Sequence, residues 1–137
     1  MKKIEGYLYE EESKKIRTAC EAVWREFGGS FKETIVDRAL TIALRKQGLQ
    51  VEDQKRIDIL YEGQKVGTYV VDKVVDGVIA IEVKCKPFIT VEDKRQFWRY
   101  LKGSQYRIGY LINFGPHKTE LLRRVYDKAR ARGALGA

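Results

Sequence analysis

Apolar positions recur first at helical and then at alternating spacing along this chain. Ile16, Cys20, Val23, Trp24 and Phe27 fall at i, i+4, i+7, i+8 and i+11, which predicts an amphipathic helix that Gly28-Gly29 stops. A second helix is expected from Ser30 to a stop at Gly48, with Ile35, Ala39, Ile42 and Ala43 as its inward stripe. The period then changes. Residues 56–61 and 65–75 read as strands around a Glu62-Gly63 turn, and Asp76-Gly77 leads into a third strand over 78–85. Pro87 breaks the chain, and Thr90 is placed to cap a third helix carrying Phe97, Trp98 and Leu101, with a stop at Gly103. RIGYLINF, residues 107–114, is a near-continuous apolar run, as in a strand covered on both faces. LLRRVYD reads either as an edge strand or as the start of a helix running through KARARG; the strand is preferred, so that residues 118–137 hold a last short strand and a loose basic tail.

This order predicts an α/β (α+β) fold in one domain spanning residues 1–137. Three strands meander, and a helical crossover returns the next one parallel, giving a mixed β-sheet flanked by helices on both faces. With 44% hydrophobic and 11% aromatic residues, the chain can fill a core. No apolar run approaches the roughly 20 residues of a membrane span. The N-terminal MKKIEGYLYEEESKK turns acidic before any apolar stretch, unlike a secretory signal. Cys20 and Cys85 fall on apolar faces, as reduced packing residues do, which points to a cytoplasmic setting. A single histidine, His117 beside Pro116, excludes a His-rich metal centre. The net charge of +8 argues for an anionic partner, nucleic acid first, against the plainer alternative of solubility.

Candidate chemistry centres on YVVDKVVDGVIAIEVKC, residues 69–85, where charged groups interrupt two otherwise apolar strands. An acid-x-Lys pattern occurs at Glu12, Asp53, Glu82 and Glu92, but only Glu82-Val83-Lys84 is embedded in a strand; Asp53 reads as part of a polar connection. Alternation puts Ala80, Glu82 and Lys84 on one face and Ile79, Ile81, Val83 and Cys85 on the other. A half-exposed strand would look the same. Asp72 on the preceding strand adds a second carboxylate. Asp72, Glu82 and the Val83 carbonyl make a donor set suited to Mg²⁺ or Mn²⁺, with Lys84 to orient a water or stabilise charge on phosphorus. The register decides whether they meet. A two-residue turn pairs Asp72 with Ile81 and separates the carboxylates, whereas a three-residue turn pairing Val75 with Ile79 sets Asp72 opposite Glu82. A break in pairing near Asp72 would serve as well.

The chain resembles the GxxExxY proteins, small members of the PD-(D/E)XK nuclease superfamily, over nearly its whole length. The superfamily signature is similar to Asp72 and Glu82-Val83-Lys84, with Val71 where the motif has Pro. The naming motif falls on residues 30–36, keeping Glu33 but carrying Ser30 for Gly and Val36 for Tyr, and Arg38-Ala39-Leu40 comes next. RQFWRYLK supplies Gln96 and Tyr100 in a Gln-x-x-x-Tyr-Leu arrangement, and YLINFG resembles the family's final buried strand. The resemblance implies a restriction-endonuclease-like αβββαβ core and a metal-dependent nuclease site, with Glu33 and Gln96 supporting Asp72, Glu82 and Lys84. It implies a nucleic-acid partner, DNA ahead of RNA, met by Lys86, Lys94, Arg95, Arg99, Tyr100 and Lys102. Plainer readings stand beside these: a Ser30–Glu33 capping box, a solvated Gln96, a packing Tyr100 and a solvated basic helix face. Three other functions stay open. One is a junction-resolving nuclease resembling the archaeal Holliday-junction resolvases, working as a homodimer. The others are a catalytically degenerate nucleic-acid-binding module and an interaction subunit of a repair or defence complex.

Overall fold

A computed structural model of the protein describes residues 9–29 and 31–126. Its elements are α1 (Glu10–Phe27), α2 (Glu33–Lys46), β1 (Val51–Tyr61), β2 (Gln64–Val75), β3 (Ile79–Lys84), α3 (Val91–Gly103), β4 (Ile108–Phe114) and β5 (Thr119–Val125). The strands form one sheet in the order β1-β2-β3-β4-β5. β3 and β4 pair parallel across the α3 crossover, and every other neighbouring pair is antiparallel. This is the mixed sheet of a restriction-endonuclease-like fold.

Helices cover both faces. On one side α1 and α2 pack Ile16, Cys20, Val23, Val36, Leu40 and Leu44 against Ile79, Ile81, Val83, Ile108, Tyr110, Ile112 and Phe114. On the other, Phe97 and Leu101 of α3 meet Ile57, Val71, Val74, Ala80 and Leu111. The two sets alternate along β3 and β4, which explains why all seven β4 residues are buried. Burial also pushes the Cys20 thiol up to about 12 and, in the half-buried Cys85, to about 11, so both remain thiols at neutral pH.

Four sequence expectations need correction. The inward stripe of α2 is Val36, Leu40 and Leu44, all fully buried, whereas Ile35 and Ile42 are 42% and 63% exposed. The apolar arc of this helix is wide enough for either row to face in. Burying three large aliphatics, each favourable by about 1.5–3 kcal/mol, sets the rotation. Second, α2 begins at Glu33 with Lys32 as its N-cap rather than at Ser30; Ser30, and with it the expected capping box, lies outside the described residues. Third, β1 starts at Val51 rather than at residue 56. Fourth, Asp53 therefore lies in a paired strand, opposite Lys73, and not in a polar connection. The tail expected after β5 lies outside the described residues.

Two connections fix how the helices and strands meet around β2 and β3. The α1–α2 link passes so close to the end of β4 that a Cβ on Gly29 would lie 2.1 Å from the Gly115 carbonyl oxygen. That oxygen accepts a hydrogen bond from Trp24 Nε1 at 2.9 Å. The β2–β3 turn has Asp76 and Gly77 at φ 51° and 69°, and Val75 pairs with Ile79. This is the three-residue register that sets Asp72 opposite Glu82.

Candidate active site

Asp72 sits where β2 loses its partners on both sides. Toward β3 the pairing runs from Val75↔Ile79 to Lys73↔Ile81 and stops. Toward β1 it skips from Asp53↔Lys73 to Lys55↔Val71, because Gln54 adopts φ 51°. Side-chain carboxylates take over the lost backbone bonds. Asp72 Oδ2 accepts the Val83 N–H at 2.6 Å, and the Asp72 N–H lies 3.4 Å from Glu82 Oε1. Both features that the sequence required, the longer turn and the break, are present together. A strand residue directs its C=O to the same edge as its N–H, so the Val83 carbonyl shares the edge that faces Asp72.

Around this pair the fold gathers Lys84 and Glu33. Glu82 is in phase with Ala80, whose side chain joins the α3-side core. Burial pushes the Glu82 carboxyl up to about 7; Asp72 adds to the rise, and Lys84, the Asp72 N–H and the Tyr69 hydroxyl oppose it. Burial also raises Asp72, against the Val83 N–H bond and the charges of Lys73 and Lys84. Glu33, in the first turn of α2, is raised by desolvation and by Asp72 and Asp37, while Lys84 and a bond from the Cys85 backbone lower it. β3 is anchored beyond Lys84 by buried Asn113, which bonds both the N–H (2.9 Å) and the C=O (3.0 Å) of Lys86.

α3 carries the remaining expected residues. Thr90 and Asp93 form its capping box. Lys86 Nζ lies 2.6 Å from Asp93 Oδ2, so it is tied to the start of α3. Burial opposes ionisation of Asp93, but the bonds from Lys86 and Thr90 outweigh it and take the carboxyl down to about 2. Arg95, Gln96, Arg99 and Lys102 are exposed and Lys94 is partly so. Arg95 stands 4.0 Å from Glu92. Tyr100 stacks on Tyr69, with ring centroids 3.9 Å apart and planes 5° from parallel.

Asp72, Glu82, Lys84, Glu33 and the Val83 backbone are thus brought together, while Gln96, Lys94, Arg95, Arg99, Tyr100 and Lys102 line α3 and Lys86 lies in the link before it. Tyr69 escaped sequence reasoning, although it stands three residues before Asp72 in YVVD. It bonds Glu82 with its hydroxyl and stacks on Tyr100. The ion-paired cluster of buried Lys73 with Asp37 and Asp53 escaped it too; the signal was a lysine inside an apolar run.

The donor set fits a hard divalent cation. Among the described residues no three His, Cys, Asp or Glu side chains are grouped to hold an ion. Two carboxylates and a strand-edge carbonyl are nevertheless a suitable partial shell for a divalent cation that keeps several waters.

Paired carboxylates and a lysine thus meet at the interrupted edge of a mixed sheet between helices. A family profile of the PD-(D/E)XK nuclease superfamily matches residues 10–125, and the chain belongs to that superfamily. Neither the curated proteins nor the solved structures provide a match. Membership implies a nuclease with a nucleic-acid substrate, and nucleases of this superfamily generally use divalent metals. Among the described residues no helix is long and apolar enough to cross a membrane.

Proposed function

We propose that the protein is a Mg²⁺- or Mn²⁺-dependent nuclease that hydrolyses phosphodiester bonds in DNA, of the GxxExxY type within the superfamily. The observation that carries this reading is the pair of carboxylates at the interrupted strand edge, where Asp72 and Glu82 each bond the other strand's backbone beside Lys84. Asp72, Glu82 and the Val83 carbonyl are the residues that hold the cation. A bound cation would supply Lewis-acid chemistry at the phosphodiester. The Lys84 ammonium orients the attacking water and offsets charge gathering on phosphorus. Glu33 fixes the ammonium from the first turn of α2, and Gln96 supports the site from α3. Tyr69 holds Glu82 in the rotamer that faces Asp72. Lys86, Lys94, Arg95, Arg99 and Lys102 meet the phosphates on either side, with Tyr100 beside them.

A second reading, a catalytically silent nucleic-acid-binding module, draws support from the lack of a three-side-chain donor group among the described residues. One panel separates the two. Labelled single strand, duplex, flap, four-way junction and RNA are incubated with Mg²⁺, Mn²⁺ or EDTA, using wild type, Asp72→Ala and Lys84→Ala. The nuclease predicts metal-dependent cutting of DNA that falls by about 10²–10³-fold in both variants, as expected when transition-state charge stabilisation is removed. Binding without cutting on every substrate, unchanged in both variants, would replace it with the binding module. Cutting confined to the junction, by a dimer, would place the protein among junction-resolving enzymes.

A further inference from the structure

Lys73 takes no part in the chemistry proposed for the site, yet it is completely buried one residue from Asp72. Its ammonium is ion-paired with Asp37 of α2 and lies 3.7 Å from Asp53 Oδ1 of β1. The same Asp53 oxygen accepts the Thr41 hydroxyl of α2 at 2.6 Å. Three elements therefore converge on one lysine. A buried ion pair contributes little net stability compared with apolar side chains of similar volume, because desolvation offsets the attraction. What it supplies is a unique arrangement, and the connectivity shows which one. Asp37 is four residues after Glu33, so the two share a face of α2. Lys73 succeeds Asp72 on β2, at the first position where both neighbouring strands pair with it again. The pair thus fastens the segment of α2 that carries Glu33 to the point of β2 that carries Asp72, where the backbone ladder does not.

We propose that Lys73, Asp37 and Asp53 are positioning residues that set the Asp72 carboxylate opposite Glu82 and within reach of Glu33. The proposal rests on the reading of Asp72 and Glu82 as cation ligands. Val71 joins the α3-side core while Lys73 reaches α2, so the alternation of β2 shifts at Asp72. Anchoring Lys73 toward α2 therefore fixes the point at which that shift falls, and with it the setting of Asp72 beside β3. The set touches neither the cation nor the substrate; it acts through the backbone of β2.

The test measures Mn²⁺ affinity of the full chain by calorimetry, alongside Tm in EDTA. The variants are Asp37→Asn, Lys73→Met with Asp37→Leu, and Asp72→Ala. Asp37→Asn conserves shape. The double variant removes one charge of each sign, so a loss of affinity in it does not arise from net charge. Apolar replacement of both partners is expected to keep Tm near that of wild type. Mn²⁺ affinity is expected to fall about 10–100-fold in Asp37→Asn and in the double variant, the loss usual when groups that orient metal ligands are removed. A purely structural role would move Tm and leave affinity intact. If Asp72→Ala abolishes binding while both other variants bind as wild type does, the positioning role is overturned and the metal site stands. If wild type itself binds no Mn²⁺, or Asp72→Ala binds equally well, the metal-site reading fails and takes the positioning role with it.

Discussion

Glu82 is a carboxyl that the fold makes reluctant to ionise. Burial and the neighbouring Asp72 raise it from 4.5 to about 7. Between those values the folded chain binds more protons than the unfolded one. Stability therefore falls as pH rises across that window, by on the order of 3 kcal/mol for such a shift. Glu82→Gln should remove this slope, leaving a variant more stable than wild type at pH 8 and little changed at pH 4.5. Urea denaturation of both proteins in EDTA at the two pH values measures it; equal slopes would mean that Glu82 ionises freely in the folded state. A bound cation reverses the preference, since it requires the ionised form. The stretch 69–85 betrayed its unusual carboxylates in the sequence because Asp72 and Glu82 interrupt apolar alternation. The hydroxyl of Tyr69 on Glu82 was not legible, because period-2 geometry says nothing about which side chains meet across a break in the ladder.

At the scale of elements, the local signals that depend on backbone chemistry were readable. The Glu62-Gly63 turn, the cap at Thr90 and the stop after Phe27 each rest on a φ value or a hydrogen-bonding side chain. The rotation of α2 was not readable, because Ile35, Val36, Ala39, Leu40, Ile42, Ala43 and Leu44 leave several inward rows available. The start of β1 was missed for the opposite reason. Glu52, Asp53, Gln54 and Lys55 look like a polar loop, yet they belong to an edge strand whose outer side meets water. The α1–α2 connection offers a direct test. In Gly29→Ala, the new methyl would meet the backbone of Gly115 and Pro116, which has no rotamer to yield. A loss of about 1–3 kcal/mol is expected, as for overpacking a filled interior. Because this connection leads into α2, Mn²⁺ affinity should fall with it. Thermal melts and calorimetry on the variant would show both changes, and a neutral substitution would mean that the connection can relax away from β4.

For the whole molecule, the net charge of +8 has a defined consequence. If four or five of the basic residues near the site contact phosphates, the logarithm of DNA affinity should fall against the logarithm of salt with a slope of about −4. Arg95→Ala and Arg99→Ala should each reduce that slope by about one, measured by fluorescence anisotropy in EDTA to prevent cutting. An unchanged slope in both variants would place the phosphate path elsewhere on the surface.

The sequence by itself determined the number and type of elements, the parallel return of β4 and the identity of the charged residues out of place in strands. These stem from local periodicity, turn chemistry and the geometric limits on a helical crossover. Only the tertiary structure decided that the β2–β3 turn takes three residues, that the ladder breaks around Asp72, and that Lys73 is satisfied by Asp37 and Asp53. Each of those outcomes depends on groups distant in the chain competing for the same buried space, and burial makes an unpaired charge costly enough to fix the result.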